Sequence, residues 1–168
     1  MSAADGKAHA SRLRVGHGYD IHRLVPGTAL VLGGVTLPWD LGLKGHSDGD
    51  VACHALIDAL LGAAGRGDIG TLFPDGDPRF EGARSVDLLA QVGELLAQDG
   101  LALINADITL VLEVPRLTPY RQQMVENIAA ALKVEPACIS VKAKSNEKLG
   151  AIGAGEAIAA MAVALVES

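Results

Sequence analysis

The sequence predicts an α+β domain in which helices cover one face of a mixed β-sheet, and three observations carry that expectation. In LINADITLVLE, Ile104, Ala106, Ile108, Leu110 and Leu112 alternate with Asn105, Asp107 and Thr109, the period of two of a half-buried strand. In SVDLLAQVGELLAQDG, Val86, Leu88, Leu89, Val92, Leu95 and Leu96 form a stripe at helical spacing that ends near Gly100. Segments of both kinds follow one another along 168 residues with no internal repeat, heptad pattern or low-complexity linker, which fits one domain.

Residues 1–12 are small and polar, without apolar periodicity, and read as a mobile tail ahead of a single domain over residues 13–168. A first strand follows in RLRVGHGYDIHRL, where Val15, Tyr19 and Ile21 recur at odd positions. ALVLGGVTLPW places two β-rich runs around Gly33 and Gly34, a hairpin signal. Ser47 is a good N-cap for a helix running to about Gly65, with Asp50 near the positive end of its dipole. The stretch GRGDIGTLFPDGDPRFEGA is too long and polar for a simple connector and reads as a loop over a site. Ser85 begins the second helix; Thr118 and Pro119 form the cap and first turn of a third; ISVKAKSN reads as a strand. The tail EAIAAMAVALVES is ambiguous, because alanine favours helix while Ile158, Ala160, Ala162 and Ala164 fit alternation.

Hydrophobic residues make up 49% of the chain but aromatics only 3%, so Ala, Leu, Val and Ile must pack the core. No apolar run approaches the roughly 18 residues that span a bilayer, and MSAADGKAHASR lacks the apolar stretch of a signal peptide; a cytoplasmic protein is expected. Cys53 and Cys138 lie far apart in no metal-binding spacing and read as free core thiols. The net charge of −6 argues against nonspecific nucleic-acid binding. An anionic ligand must then be held locally, by metal ions, placed Lys or Arg, or helix N-termini.

Asp20 and His22, two apart on a strand, point to one face, so a carboxylate and an imidazole emerge side by side. Alone, such a pair reads first as an exposed strand end. His54 supplies company from the first helix, with Asp50 and Asp58 four residues to either side as candidates for a supporting carboxylate. Two histidines, one carboxylate and an open fourth position match a catalytic zinc site. Cys53 is excluded as a ligand beside His54, since adjacent helical residues point about 100° apart. His46 and Ser47 stand where a helix N-terminus attracts anions, although plain capping explains them too. Lys142, Lys144 and Lys148 surround Ser145, Asn146 and Glu147, mixing phosphate-binding groups with a carboxylate suited to Mg2+; the bland reading is a solvated charged turn. Arg116 in VPRLTPY adds a cation before a helix start.

Taken in order, GHGYDIHRL, LGGVTLP, GHSDGDVACHALIDALLGAAGRGDIGTLFPD, DITLVLEVPRLTPY and VKAKSNEKLG resemble the 2-C-methyl-D-erythritol 2,4-cyclodiphosphate synthase family from about residue 14 to the C-terminus. The resemblance implies conversion of 4-diphosphocytidyl-2-C-methyl-D-erythritol 2-phosphate to the 2,4-cyclodiphosphate and CMP, in non-mevalonate isoprenoid synthesis. It implies Asp20, His22 and His54 as ligands of Zn2+, or of Mn2+ or Co2+, with the metal polarising the attacking phosphate. It implies Mg2+ or Mn2+ held by Glu147 between diphosphate oxygens, and His46 and Ser145 stabilising the transition state with Ser47 on the phosphate. Asp68, Ile69 and Gly70 match the methylerythritol contact, and Phe73, Pro74, Asp75, Gly76 and Asp77 a mobile loop whose closure excludes water. Leu112, Val114, Pro115, Arg116, Leu117 and Thr118, with Lys144, Ser145 and Asn146, match the cytidine and phosphate pocket. The resemblance also implies a ferredoxin-like arrangement, a homotrimer around a central channel with sites between chains, and a C-terminal segment that is a strand.

Two departures stand out. Ser145 replaces a common Thr and keeps the hydroxyl. Ala151 and Ala154 stand where many members carry an aromatic residue and a channel-lining arginine, so no isoprenoid diphosphate is expected to bind in the channel. Two other readings compete: a zinc phosphohydrolase of a nucleoside diphosphate ester, which would give linear products, and a non-catalytic, zinc-stabilised trimeric binding protein.

Overall fold

The computed structural model describes residues 12–168; the expected tail falls, except for Arg12, outside the described residues. The elements in chain order are β1 (Leu13–Pro26), β2 (Leu30–Leu32), β3 (Val35–Leu37), β4 (Leu41–Leu43), α1 (Val51–Ala64), α2 (Ile69–Leu72), α3 (Ser85–Gln98), β5 (Ala102–Val111), α4 (Arg121–Leu132), β6 (Ile139–Lys144), α5 (Gly150–Gly153) and β7 (Ala157–Glu167). They form a mixed α+β fold. Five strands make one sheet in the order β4-β1-β7-β5-β6, in which β5 and β6 run parallel and the other pairs antiparallel. β2 and β3 form the expected hairpin apart from it.

Helices cover one face. α1 packs on β1 and β7, α4 packs on β6, and α3 lies over α1 and α4. The opposite face leaves Val15, Tyr19, Ile21, Met161 and Val163 exposed, and register places Tyr19 beside Met161 and His17 beside Val163. Among the described residues no helix is long and apolar enough to cross a membrane. Cys53 and Cys138 are free, Cys53 buried and Cys138 half-buried.

The alanine-rich C-terminus resolves to a strand because tertiary context overrides its propensity. β7 lies between β1 and β5, so its backbone finds partners on both sides, and Ile158, Ala160, Ala162, Ala164 and Val166 are buried. Two expected caps are corrected. Asp50, not Ser47, caps α1, and its carboxylate binds the amides of Ala52 and Cys53 together with those of Gly33 and Gly34 in the hairpin. One buried side chain thus satisfies both a helix end and a turn, which Ser47 cannot do. Thr118 does not cap α4; that helix begins at Arg121 without a side-chain cap, and the carbonyl of buried Leu117 accepts from the amides of Tyr120 and Arg121. The long loop after α1 contains α2 and a short 3-10 turn at Pro78–Phe80.

The α1 interface with β1 is set by glycine. A Cβ on Gly16 would lie 1.8 Å from the carbonyl oxygen of Ala59, and one on Gly18 would lie 1.9 Å from that of Ala55. Helix backbone therefore rests directly on strand backbone, and no side chain can yield there. Gly18→Ala is expected to force α1 outward and destabilise the protein by about 2–3 kcal/mol or more. Gly62→Ala, on the exposed side of the same helix with open space around its Cβ position, should instead stabilise by about 0.5–1 kcal/mol. Urea unfolding of both variants measures the contrast.

Candidate active site

Side chains on β1 alternate, so Asp20 and His22 lie on the same face as Gly16 and Gly18, the face toward α1. Because α1 sits so close, His54 comes directly onto the Asp20 carboxylate. His54 Nδ1 is 2.8 Å and His22 Nε2 is 3.1 Å from Asp20 Oδ2. The three residues offer ligand atoms that all lie within 4.8 Å of one another. Such spacing suits one divalent cation at zinc-like bond lengths, with Asp20 ionised and both imidazoles neutral.

The outer nitrogens of both imidazoles are committed. His22 Nδ1 donates to the Lys44 carbonyl at 2.5 Å, so Nε2 is the nitrogen turned toward Asp20. His54 Nε2 is 2.8 Å from Ser85 Oγ, and that hydroxyl lies 2.5 Å from Asp48 Oδ1 as donor, leaving its oxygen to accept from His54. Ser47 Oγ, 3.0 Å from His54 Nε2 and 3.1 Å from Ser85 Oγ, completes the cluster. In each ring the outer N–H is thereby held by the scaffold, which leaves the inner nitrogen, beside Asp20, as the atom that ligates a metal once it gives up its proton. The supporting carboxylate is Asp48 acting through Ser85. Asp50 and Asp58 are not: Asp50 serves the cap and hairpin, and Asp58 accepts from the Ile69 amide at 2.7 Å.

Electrostatics agree with that geometry. Burial raises the Asp20 carboxyl, but the hydrogen bonds and charges of His22 and His54 outweigh it and hold the group well below the usual carboxylate range. The hydrogen bond to Asp20 raises His22 above its ordinary value, against the opposing effect of burial. Burial, with Asp68 and Asp20 nearby, raises Asp58 despite the Ile69 amide.

The cluster opens into a cavity of about 230 Å3 lined by Asp20, His22, His46, Ser47, His54, Asp58, Ile69, Gly70, Phe73, Asp75, Phe80 and Leu88. No Lys or Arg lines it, so a bound cation would be the natural counter-charge for an entering phosphate. His46 Nε2 is 3.3 Å from the Asp77 carbonyl, tying the approach to α1 to the following loop. Phe73 and Phe80 meet edge to face at 5.2 Å and wall one side. Asp68 is turned away as the cap of α2, and hydrogen bonds from Arg79 hold Asp77 down at about 2. Pro74 and Gly76 continue that loop beside the cavity without lining it.

The second group of sequence-predicted residues gathers elsewhere. A cavity of about 340 Å3 is lined by Leu112, Pro115, Arg116, Leu117, Thr118, Arg121, Lys144 and Ser145, among others. Its three cations suit a nucleotide's phosphates, and Arg121 is an addition that sequence reading passed over. Val114 is exposed beside it, while Asn146 and Glu147 lie on the turn that leaves it, with Ser145 Oγ donating to Glu147 Oε1 at 2.5 Å. One protomer does not join the two groups. Register aligns Ile21, Ala159, Val111 and Lys144 in one row across four strands, about 14 Å at ordinary strand spacing. Lys144 also points with Lys142 away from buried Val141, to the face opposite Asp20 and His22.

Ser85, Asp48, Lys44, Gly16 and Gly18 were missed as site-forming residues. Only the glycines carried a readable signal, since Gly-x-Gly-x-Asp-x-His places two small residues and two ligands on one strand face.

The YgbB family model matches residues 13–167. The 2-C-methyl-D-erythritol 2,4-cyclodiphosphate synthase of Symbiobacterium thermophilum is 59% identical over 152 residues, covering 90% of this chain and 97% of its own. Two solved structures share the fold. The bifunctional IspDF of Campylobacter jejuni gives a TM-score of 0.90 at 42% identity, covering 94% of this chain, which spans 43% of that longer protein. The IspF–CDP complex of Plasmodium falciparum gives 0.80 at 36% identity, covering 92% of this chain and 95% of that one. Matched almost from end to end and more than half identical to a synthase of nearly equal length, the chain belongs to the YgbB family, alongside the 2-C-methyl-D-erythritol 2,4-cyclodiphosphate synthases.

Proposed function

We propose that the protein converts 4-diphosphocytidyl-2-C-methyl-D-erythritol 2-phosphate to 2-C-methyl-D-erythritol 2,4-cyclodiphosphate and CMP, a lyase step of isoprenoid biosynthesis in the cytoplasm. The observation that carries this reading is the convergence of Asp20, His22 and His54, with the outer nitrogen of each imidazole held by the scaffold, on a cavity that no Lys or Arg lines. In the reaction an oxygen of the 2-phosphate bonds to the β-phosphorus. The bond from that phosphorus to the bridging oxygen breaks, and CMP leaves with the electron pair, so no water is consumed.

Asp20, His22 and His54 would hold Zn2+, and Glu147 would help hold Mg2+; when bound, these ions supply Lewis-acid stabilisation of phosphoryl oxygens. The chain's own groups do the rest. His46 and Ser145 donate to oxygens where charge grows, with Ser47 beside them; losing one such donor costs about 3 kcal/mol of barrier. Ile69 and Gly70 position the methylerythritol, with Asp68 holding their helix. Phe73, Pro74, Asp75, Gly76 and Asp77 close over it and keep water from phosphorus. Leu112, Val114, Pro115, Arg116, Leu117 and Thr118 receive the cytidine, while Lys144, Ser145 and Asn146 receive its phosphates.

The separation of the two residue groups across four strands, with Lys144 on the face opposite Asp20 and His22, supports a site shared between chains, and the exposed apolar stripe of β1 and β7 supports a homotrimer around a central channel. The β5–α4–β6 crossover, with α1 and α4 on the same face, supports a ferredoxin-like description of each subunit.

Two measurements test the reading. Phosphorus NMR of the protein with this substrate, Zn2+ and Mg2+ should show the cyclic diphosphate and CMP forming one for one; linear phosphates in their place would identify a phosphohydrolase. Second, Ser85→Ala, which removes the hydroxyl that orients His54, should weaken zinc binding about 10–100-fold in competition with a chelator. In the unmodified protein apparent zinc affinity should fall as pH falls. Asp20 stays ionised throughout, so the limb reports protons competing for the imidazole ligands, with His22, raised above its ordinary value by its hydrogen bond to Asp20, among them. Affinity independent of pH from about 8 down to about 5 would contradict that assignment.

A further inference from the structure

Beyond β6 the chain makes a tight turn that is costly by itself. Glu147 and Lys148 adopt φ of 49° and 62°, two consecutive L residues in the left-handed region, where side chains crowd their own backbone. Among the described residues the only other non-glycine there is Lys133, at the C-cap of α4. Sheet pairing does not impose this turn, because the ladder between β5 and β6 closes with the Leu112 amide donating to the Lys144 carbonyl at 3.0 Å.

The carboxylate of Glu113 does. Its Oε1 accepts from the Asn146 amide at 2.9 Å and from the Lys148 amide at 3.1 Å, the two peptide N–H groups that bracket Glu147. Left-handed residues turn nearby amides into one concavity that takes an anion, and here the anion is supplied by the chain itself. One fixed oxygen satisfies both amides at once, which two separate waters could do only at the cost of ordering each. Inside the turn, Asn146 Nδ2 donates to the Leu149 carbonyl at 2.7 Å, and Ser145 Oγ to Glu147 Oε1 at 2.5 Å. Glu113 also lines the cationic cavity with Arg116, Arg121 and Lys144, where an uncommitted carboxylate would oppose an anionic ligand. Pointing it at the amides gives it a role there.

We infer that Glu113 is a positioning residue, whose side chain holds the strained 145–148 turn so that Ser145 and Glu147 face the reacting phosphates. This rests on the reading that the turn serves cyclodiphosphate formation, and the test separates the two. Glu113→Ala should lower kcat at least about tenfold while KM for the nucleotide substrate stays within about threefold. Glu113→Gln keeps an acceptor oxygen and should stay within about threefold of the unmodified kcat. Amide hydrogen exchange followed by NMR supplies a readout independent of turnover. The Asn146 and Lys148 amides should lose at least about tenfold protection in Glu113→Ala and keep it in Glu113→Gln.

Unchanged protection at both amides in Glu113→Ala overturns the inference, as does lost protection with unchanged kcat. A change confined to KM overturns it as well, since it would mark Glu113 as part of the binding surface. If the unmodified protein forms no cyclic product, the functional reading fails, and the positioning of this turn for that reaction falls with it while the exchange data still report whether the clamp exists.

Discussion

The close seating of α1 on β1 is the constraint on which the rest depends. Gly16 and Gly18 remove every side chain from the contact, so strand and helix backbones meet directly. That fixes the height of His54 above the strand carrying Asp20 and His22, and with it the 2.8 Å approach of imidazole to carboxylate. A cluster of three titratable groups would repel or wander if built on loops; here two come from one strand face and one from a helix pressed against it. The buried Asp50 reinforces the arrangement by binding the start of α1 to the hairpin at Gly33 and Gly34.

Charge is distributed to match this frame. The Asp20, His22 and His54 cluster faces a cavity with carboxylates and no Lys or Arg, whereas the second cavity carries Arg116, Arg121 and Lys144. A net charge of −6 is thus compatible with an anionic ligand, because Arg and Lys side chains gather at the second cavity.

Much of this was legible in the chain. Periodicity located the long helix from Ser85 and the strand through Ile108, and the order of motifs pointed to the Asp20, His22 and His54 set before any coordinates. What failed did so for identifiable reasons. Ser47 looked like a helix cap because local signals cannot reveal that Asp50 serves two elements at once. Thr118 and Pro119 looked like a helix start because nothing local shows that the Leu117 carbonyl does the capping. Ser85 was read as punctuation, although it lies 31 residues from the His54 ring it touches. The C-terminal strand was undecidable from alanine-rich periodicity, since its placement between β1 and β5 is a tertiary fact.

The distance between the Asp20, His22 and His54 cluster and the turn beyond β6 has a consequence for how damage is inherited. A lesion at His54 and a lesion at Glu147 strike separate parts of the polypeptide. Were neighbouring chains to share sites as proposed, two individually dead gene products could combine into an assembly with some intact centres, and harm at one locus would be partly masked by company.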